Sequence, residues 1–349
     1  MKQTNEFLHQ LKKEIQSFFD EGTVTIVGSG LSCSEGISGM GSLATKLINE
    51  VPSRIKKHNI KCWEVVENSL KNGIDLETAL QENKINKEIE RTIINITYDL
   101  ISAEDEKIFR EILEQGRELK FSKFLYYFNT NLYNLVIITT NYDLLIEYAF
   151  EINELPYFDS YTGNIISRHL VEDYSSRYLK QKIQMKKINS SRIIKLFKPH
   201  GSINWKLING KYFKINNIDC GEPCIITPGS NKYERGYNIP FGYHISKMGE
   251  EIDKSKRMIF IGYGFNDNHL ETHLKKSENI NKPKLIITRS LSDNAKKLIE
   301  DSPDIIAIEK DKDFSENKGT KVYFNNENYL IEDKNLWDIE ELVKEVFNE

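Results

Sequence analysis

Cysteine is scarce in this chain, with four thiols in 349 residues, and only Cys220 and Cys224 lie close together. That is too few and too scattered for a disulfide framework, so reduced thiols and a cytoplasmic protein are expected. A zinc site built on Cys220 and Cys224 would need two more suitable ligands nearby; the sequence offers none, and no zinc is expected. No apolar run approaches the length of a membrane span, so no membrane partner is expected. The segment MKQTNEFLHQLKKEIQSFF mixes charges with apolar residues at helical spacing, which predicts a helix up to about Phe19 rather than a secretory leader. An excess of one charge is also missing. With 48 basic against 52 acidic residues, the net charge of -4 provides no general attraction to nucleic-acid phosphates. Two local basic runs, SRIKKHNIK and KQKIQMKK, fit solvated helix faces and leave a local nucleic-acid surface as the alternative. There is no internal repeat, no low-complexity segment and little proline (8 residues), while 39% of the chain is hydrophobic, enough to bury a large core.

What is present is an alternation. The strand Thr23 to Val27 leads through the turn GSGLS into a helix, and from residue 39 to 131 the pattern is almost wholly helical. The strand LVIITT at 135–140 then runs into the helical segment NYDLLIEYAF. A polar, irregular stretch from Asp159 to Ser191 precedes the strand IIKLFK. Further strands are predicted at CIITP, MIFIGYG and KLIITR, and an amphipathic helix at NLWDIEELVKEVF. Strands alternating with helices predict an α/β fold, a Rossmann-like, mostly parallel sheet with helices on both faces. On this reading residues 1–349 form one catalytic domain, with Rossmann-like parts at 20–38 and 132–349 and an inserted helical subdomain at 39–131.

Ligands of such sheets bind beyond the carboxyl ends of the strands, and four strand ends carry polar residues or glycine. They are Gly28-Ser29-Gly30-Leu31-Ser32, Thr139-Thr140-Asn141-Tyr142-Asp143, Lys198-Pro199-His200-Gly201-Ser202 and Gly262-Tyr263-Gly264-Phe265-Asn266-Asp267. Glycines admit close approach of a pyrophosphate, and the start of the following helix offers unpaired N–H groups to it. Each turn also has an ordinary explanation: a tight connection, an Asn or Asp helix cap, a structural histidine.

Taken in chain order, the four segments resemble the sirtuin family. GSGLSCSEGIS is similar to its nucleotide loop, TTNYD to its Thr-Gln-Asn-Ile-Asp signature, PHGS to its His-Gly element and GYGFND to its late Gly-Thr-Ser loop; the strand IITR, with Thr288, matches the one that ends beside the adenosine. Ser38, Gly39, Met40 and Gly41 stand where a deacetylase would have Pro-Asp-Phe-Arg, and the four-cysteine zinc module is missing. The pattern therefore resembles the sirtuin-like NAD hydrolases of bacterial antiphage systems. That resemblance implies cleavage of NAD to nicotinamide and ADP-ribose, with NAD as substrate and no separate cofactor. It also implies homo-oligomeric assembly and, for some members, a HerA-type ATPase partner. By the same resemblance, His200 would be the base, Asn141 would position water and ribose, and Asp143 would hold the carboxamide or stabilise developing positive charge. Gly28, Ser29, Gly30, Ser32 and Thr140 would bind the dinucleotide, and Gly262, Gly264 and Thr288 would border its adenosine. The alternatives are an NAD-dependent protein deacylase and a noncatalytic sensor of NAD or ADP-ribose.

Overall fold

The computed structural model describes residues 2–128, 135–163, 165–169, 193–216, 220–228, 239–300, 302, 304–311 and 319–347. The sheet is built from short apolar runs. Strands β1 (Thr23–Val27), β2 (Val136–Thr139), β10 (Arg257–Ile261) and β11 (Lys284–Ile287) are buried along almost their whole length, as strands covered on both faces must be. Alternate side chains serve opposite layers. Val27, Ile137, Ile259 and Ile261 pack with the helices α1 (Lys2–Ser17), α7 (Lys120–Tyr126), α8 (Leu145–Ile152) and α13 (Ile339–Phe347). Ile26, Val136, Ile138 and Phe260 pack with α9 (Phe241–Lys254), α10 (Asn268–Leu274) and α12 (Asp293–Glu300).

The main sheet has nine strands in the order β14-β13-β12-β11-β10-β1-β2-β6-β3, completed by β3 (Tyr157–Phe158), β6 (Ile194–Phe197), β12 (Ile305–Lys310), β13 (Gly319–Phe324) and β14 (Glu327–Glu332). All pairings from β12 to β3 are parallel, and only β13 and β14 run antiparallel, at one edge. This is the mostly parallel α/β sheet with helices on both faces that the alternation predicts. Val27 lies opposite both Thr139 and Ile261, so β1 sits at the point where the chain leaves first to one side and later to the other, the place where such sheets open a crevice.

Two elements were not legible in advance. The hairpin β13–β14 turns through Asn325 and Asn326 at φ 52° and 62°, a left-handed pair that asparagine tolerates. The stretch read as irregular from Asp159 contributes β4 (Tyr161–Thr162) and β5 (Ile166–His169) to a second, antiparallel sheet. That sheet is ordered β4-β5-β8-β7-β9, with β7 (Gly201–Ile208), β8 (Lys211–Ile215) and β9 (Glu222–Ile225). The basic run KQKIQMKK lies outside the described residues.

The helical segment starts at α3 (Met40–Arg54) and continues through α4 (Ile60–Lys71), α5 (Leu76–Glu82) and the long α6 (Lys87–Gln115). The Asn86 side chain caps α6 by accepting from the amides of Glu88 and Ile89, and Gly116 ends it at φ 68°. Leu47, Val51, Trp63, Val66, Ile89 and Ile93 give this segment a core of its own. Ile101, Ile108 and Ile112 of α6, with Phe121 and Phe124 of α7, join the core of the main sheet instead, so the final part of the insertion is built into the sheet layer. In the other basic run, Arg54 is paired with Glu50 and Asp99, and Lys56 with Glu88.

Candidate active site at the ends of four strands

The carboxyl ends of β1, β2, β6 and β10 converge on one cavity with an empty volume of about 980 Å³, counting the part open to solvent. Gly28, Ser29 and Ser32 line it from the β1 end, Thr140, Asn141 and Asp143 from β2, His200 from β6, and Gly264 from β10. Gly30, Gly262 and Thr288 do not. They line a neighbouring cavity together with Arg289 and Trp337. The glycine turn thus separates two cavities, with Ser29 on one wall and Gly30 on the other.

The glycines have a packing role that sequence alone did not reveal. A Cβ on Gly28 would meet the carbonyl oxygen of Gly262 at 2.5 Å, and one on Gly30 would meet the Cα of Gly262 at 2.6 Å. The Gly28 amide donates to Ile261 O and the Gly30 amide to Gly262 O. The turns after β1 and β10 are therefore locked backbone to backbone, and two of the amides expected to face a pyrophosphate are already used. Gly201, at φ 85°, likewise allows the chain to turn from His200 into β7 where a Cβ would strike Cys224 O.

Three polar side chains form a relay. Asn141 Nδ2 donates to Gly28 O (2.9 Å) and to Ser32 Oγ (2.7 Å), and Ser32 Oγ donates to Asp143 Oδ2 (2.7 Å). Buried hydrogen bonds of this kind hold the TTNYD turn against the glycine turn. Beneath them, Lys198 donates to Asp143 O (2.6 Å) and pairs with Glu147 (2.8 Å), both members being buried. His200 Nε2 lies 2.5 Å from Asp267 Oδ2, while Asp267 Oδ1 caps α10 by accepting from the amides of His269 and Leu270. His200 keeps 9% and Asn141 8% of their surface, so both remain at the cavity wall.

Asp267, Tyr142 and Glu77 were not chosen from sequence. Asp267 belongs to the GYGFND turn, where nothing in the sequence separates it from its polar neighbours. Tyr142 donates to Ile226 O (2.7 Å), and burial, with the nearby carboxylates of Glu77 and Asp267, holds its phenol well above the ordinary range and thus neutral. Glu77 comes from α5, so the inserted helices close the cavity, together with Met40, Leu43, Thr97 and Ile101. Among the described residues the lining has three carboxylates, Glu77, Asp143 and Asp267, and no lysine or arginine. The four thiols are free, and among the described residues no three His, Cys, Asp or Glu side chains gather as metal ligands.

The family model described as the SIR2-like domain matches residues 135–319 of the 349, and the chain belongs to that family. The matched span contains Asn141, Asp143, His200, Asp267 and Thr288 and begins after the glycine turn. Similar solved structures include a Sir2 variant with a deacetylated p53 peptide and 3'-O-acetyl ADP-ribose (12% identity, TM-score 0.39, covering 96% of this chain and 97% of that one). Another is a Sir2 homolog–NAD complex (13% identity, TM-score 0.35, 82% and 84%). None of the curated proteins matches. Among the described residues no helix is long and apolar enough to cross a membrane.

Proposed function

We propose that this chain binds NAD across the glycine turn and hydrolyses the bond between nicotinamide and ribose. The observation that carries the reading is the convergence of Asn141, Asp143, His200 and Asp267 on one cavity whose lining, among the described residues, holds carboxylates and no lysine or arginine. Departure of neutral nicotinamide leaves an oxocarbenium-like sugar, and negative charge fixed around it lowers that barrier without any acid at the leaving group. Asp143 and Glu77 supply this charge. His200, whose Nε2 stands 2.5 Å from Asp267 Oδ2, accepts a proton from water or a ribose hydroxyl. Asn141, held by Gly28 O and Ser32, orients the ribose. The pyrophosphate crosses at Ser29 and Ser32, and the adenosine occupies the second cavity, beside Gly30, Gly262 and Thr288.

Membership of the SIR2-like family supports NAD as the substrate, and the lack of a zinc module supports hydrolysis over peptide deacylation. The cellular setting in this reading is antiphage defence, as a homo-oligomer beside a HerA-type ATPase; the sequence resemblance supports it.

Chromatography of NAD incubated with the purified chain, alone and with proteins encoded beside it, tests the reaction. Equimolar nicotinamide and ADP-ribose are expected, without need of an acylated peptide, and His200→Ala is expected to produce neither. Product formed only with an acylated peptide would indicate a deacylase. NAD binding with no cleavage under any condition would indicate a sensor.

A further inference from the structure

A second large cavity, with an empty volume of about 1340 Å³ counting its open part, lies between α6 and strands β7 and β8, and it shares no lining residue with the first. Lys206 forms part of its wall. The side chain is 2% exposed, and its ammonium sits 3.7 Å from the centroid of the Tyr98 ring; among the described residues no carboxylate or hydrogen-bond acceptor reaches it. Burial of an ammonium without an anion is costly, and a tyrosine face offsets only part of that cost.

Two further polar groups on the same wall are unused. Asn204, also buried, donates to Asn216 Oδ1 at 2.9 Å and leaves its own Oδ1 without a partner, and the hydroxyl of Ser102 has none either. The remaining wall carries the rings of Phe109 and Tyr148, packed at 4.9 Å, beside Glu114, Glu106 paired with Arg110, and Asp105 engaged by Leu144 N and Tyr148 OH. A buried cation, a free hydroxyl and a free amide oxygen thus share a wall with these rings.

We propose that this cavity binds a small anion joined to a planar ring, with the anionic group on Lys206 and Ser102 and the ring against Tyr98, Phe109 and Tyr148. Asn204 Oδ1 accepts an N–H or O–H of the ligand where one is present. The position is informative. Leu144 lines this cavity while its neighbour Asp143 lines the other, and Asp105 fixes the join by accepting from Leu144 N (2.7 Å) and Tyr148 OH (2.6 Å). The occupant therefore rests one residue from the proposed reaction site.

Ligand-observed NMR titration of the full chain tests the proposal with four probes: phenyl phosphate, benzoate, inorganic phosphate and phenol. Binding of phenyl phosphate or benzoate is expected, and which of the two binds tells phosphate from carboxylate. Inorganic phosphate and phenol are expected to bind at least about tenfold more weakly, since each lacks half of the recognised chemistry. Lys206→Met is expected to weaken the ring-bearing anion by about tenfold or more, and Ser102→Phe, which puts a ring into the void from α6, to abolish its binding. If Lys206→Met does not fold, Ser102→Phe carries the test. Equal affinity in wild type and folded variants, or no binding of either ring-bearing anion at millimolar concentration, overturns the proposal. Because the readout is binding of these probes, its outcome is independent of whether NAD is cleaved.

Discussion

The imidazole of His200 and the carboxylate of Asp267 meet at 2.5 Å, although the strands that carry them, β6 and β10, are separated in the sheet by β1 and β2. The pair therefore spans the switch point. It sets an imidazole beside a carboxylate whose other oxygen accepts from a helix start.

Asp267→Asn keeps the cap, because asparagine caps helices as well as aspartate does, but removes the charge beside the ring. The fold is expected to persist, and the kcat for nicotinamide release to fall by about 100-fold or more with a much smaller change in KM. Steady-state kinetics beside a thermal melt check this, and an unchanged kcat would remove Asp267 from the mechanism.

Ser32→Ala cuts the relay between Asn141 and Asp143. Both partners then lose a buried hydrogen bond, so a destabilisation of about 1–3 kcal/mol is expected in urea unfolding, together with loss of activity. Asn141→Ala is expected to stay folded and to stop nicotinamide release. Full activity with normal NAD binding in that variant would refute the role assigned to the amide.

Two glycine replacements should act in opposite directions. Gly30→Ala drives a Cβ against the backbone of Gly262 and is expected to cost about 1–3 kcal/mol and to impair NAD binding. Gly41→Ala, in the first turn of α3 with nothing within 4 Å of the added carbon, is expected to be neutral or to stabilise by up to about 1 kcal/mol. Parallel denaturation curves decide the signs.

The Lys198–Glu147 pair is sealed beneath the site. Lys198→Met leaves a carboxylate buried alone and is expected to cost about 3–5 kcal/mol, whereas the double variant with Glu147→Leu should recover much of that loss. A double variant no more stable than Lys198→Met alone would contradict the pairing.

Burial pushes the carboxyl of Asp105 up to about 7, against the hydrogen bonds from Tyr148 and Leu144 that lower it. The folded chain thus holds this proton to higher pH than the unfolded chain. Stability is expected to fall, on the order of a few kcal/mol, as pH rises from about 4 to about 7, and then to level off at this group. Urea unfolding of wild type and Asp105→Asn between pH 5 and 8 checks the sign: the variant should gain on wild type as pH rises, and a constant difference would contradict it.

The apolar runs of β1, β2, β10 and β11 were legible because strands buried on both faces have little choice of residue, and the polar ends followed from where those runs stop. Of the second sheet only β9 was, through the run CIITP, since β7 reads Gly-Ser-Ile-Asn-Trp-Lys-Leu-Ile and buries Asn204 and Lys206 as well as Trp205. Its polar positions face a cavity, which no periodicity reports. The glycines were read for a ligand, but Gly28 and Gly30 also answer to Gly262, a contact between turns more than two hundred residues apart. Asp267 was hidden for a related reason: its capping oxygen explains the residue locally, and only the folded chain shows the second oxygen at His200.

The most direct test is an experimental structure of His200→Ala bound to NAD. The account expects the nicotinamide ribose within hydrogen-bond distance of Asn141 Nδ2, the pyrophosphate over Ser29 and Ser32, and the adenosine beside Thr288. A dinucleotide bound elsewhere, or lying wholly on one side of the glycine turn, would contradict it.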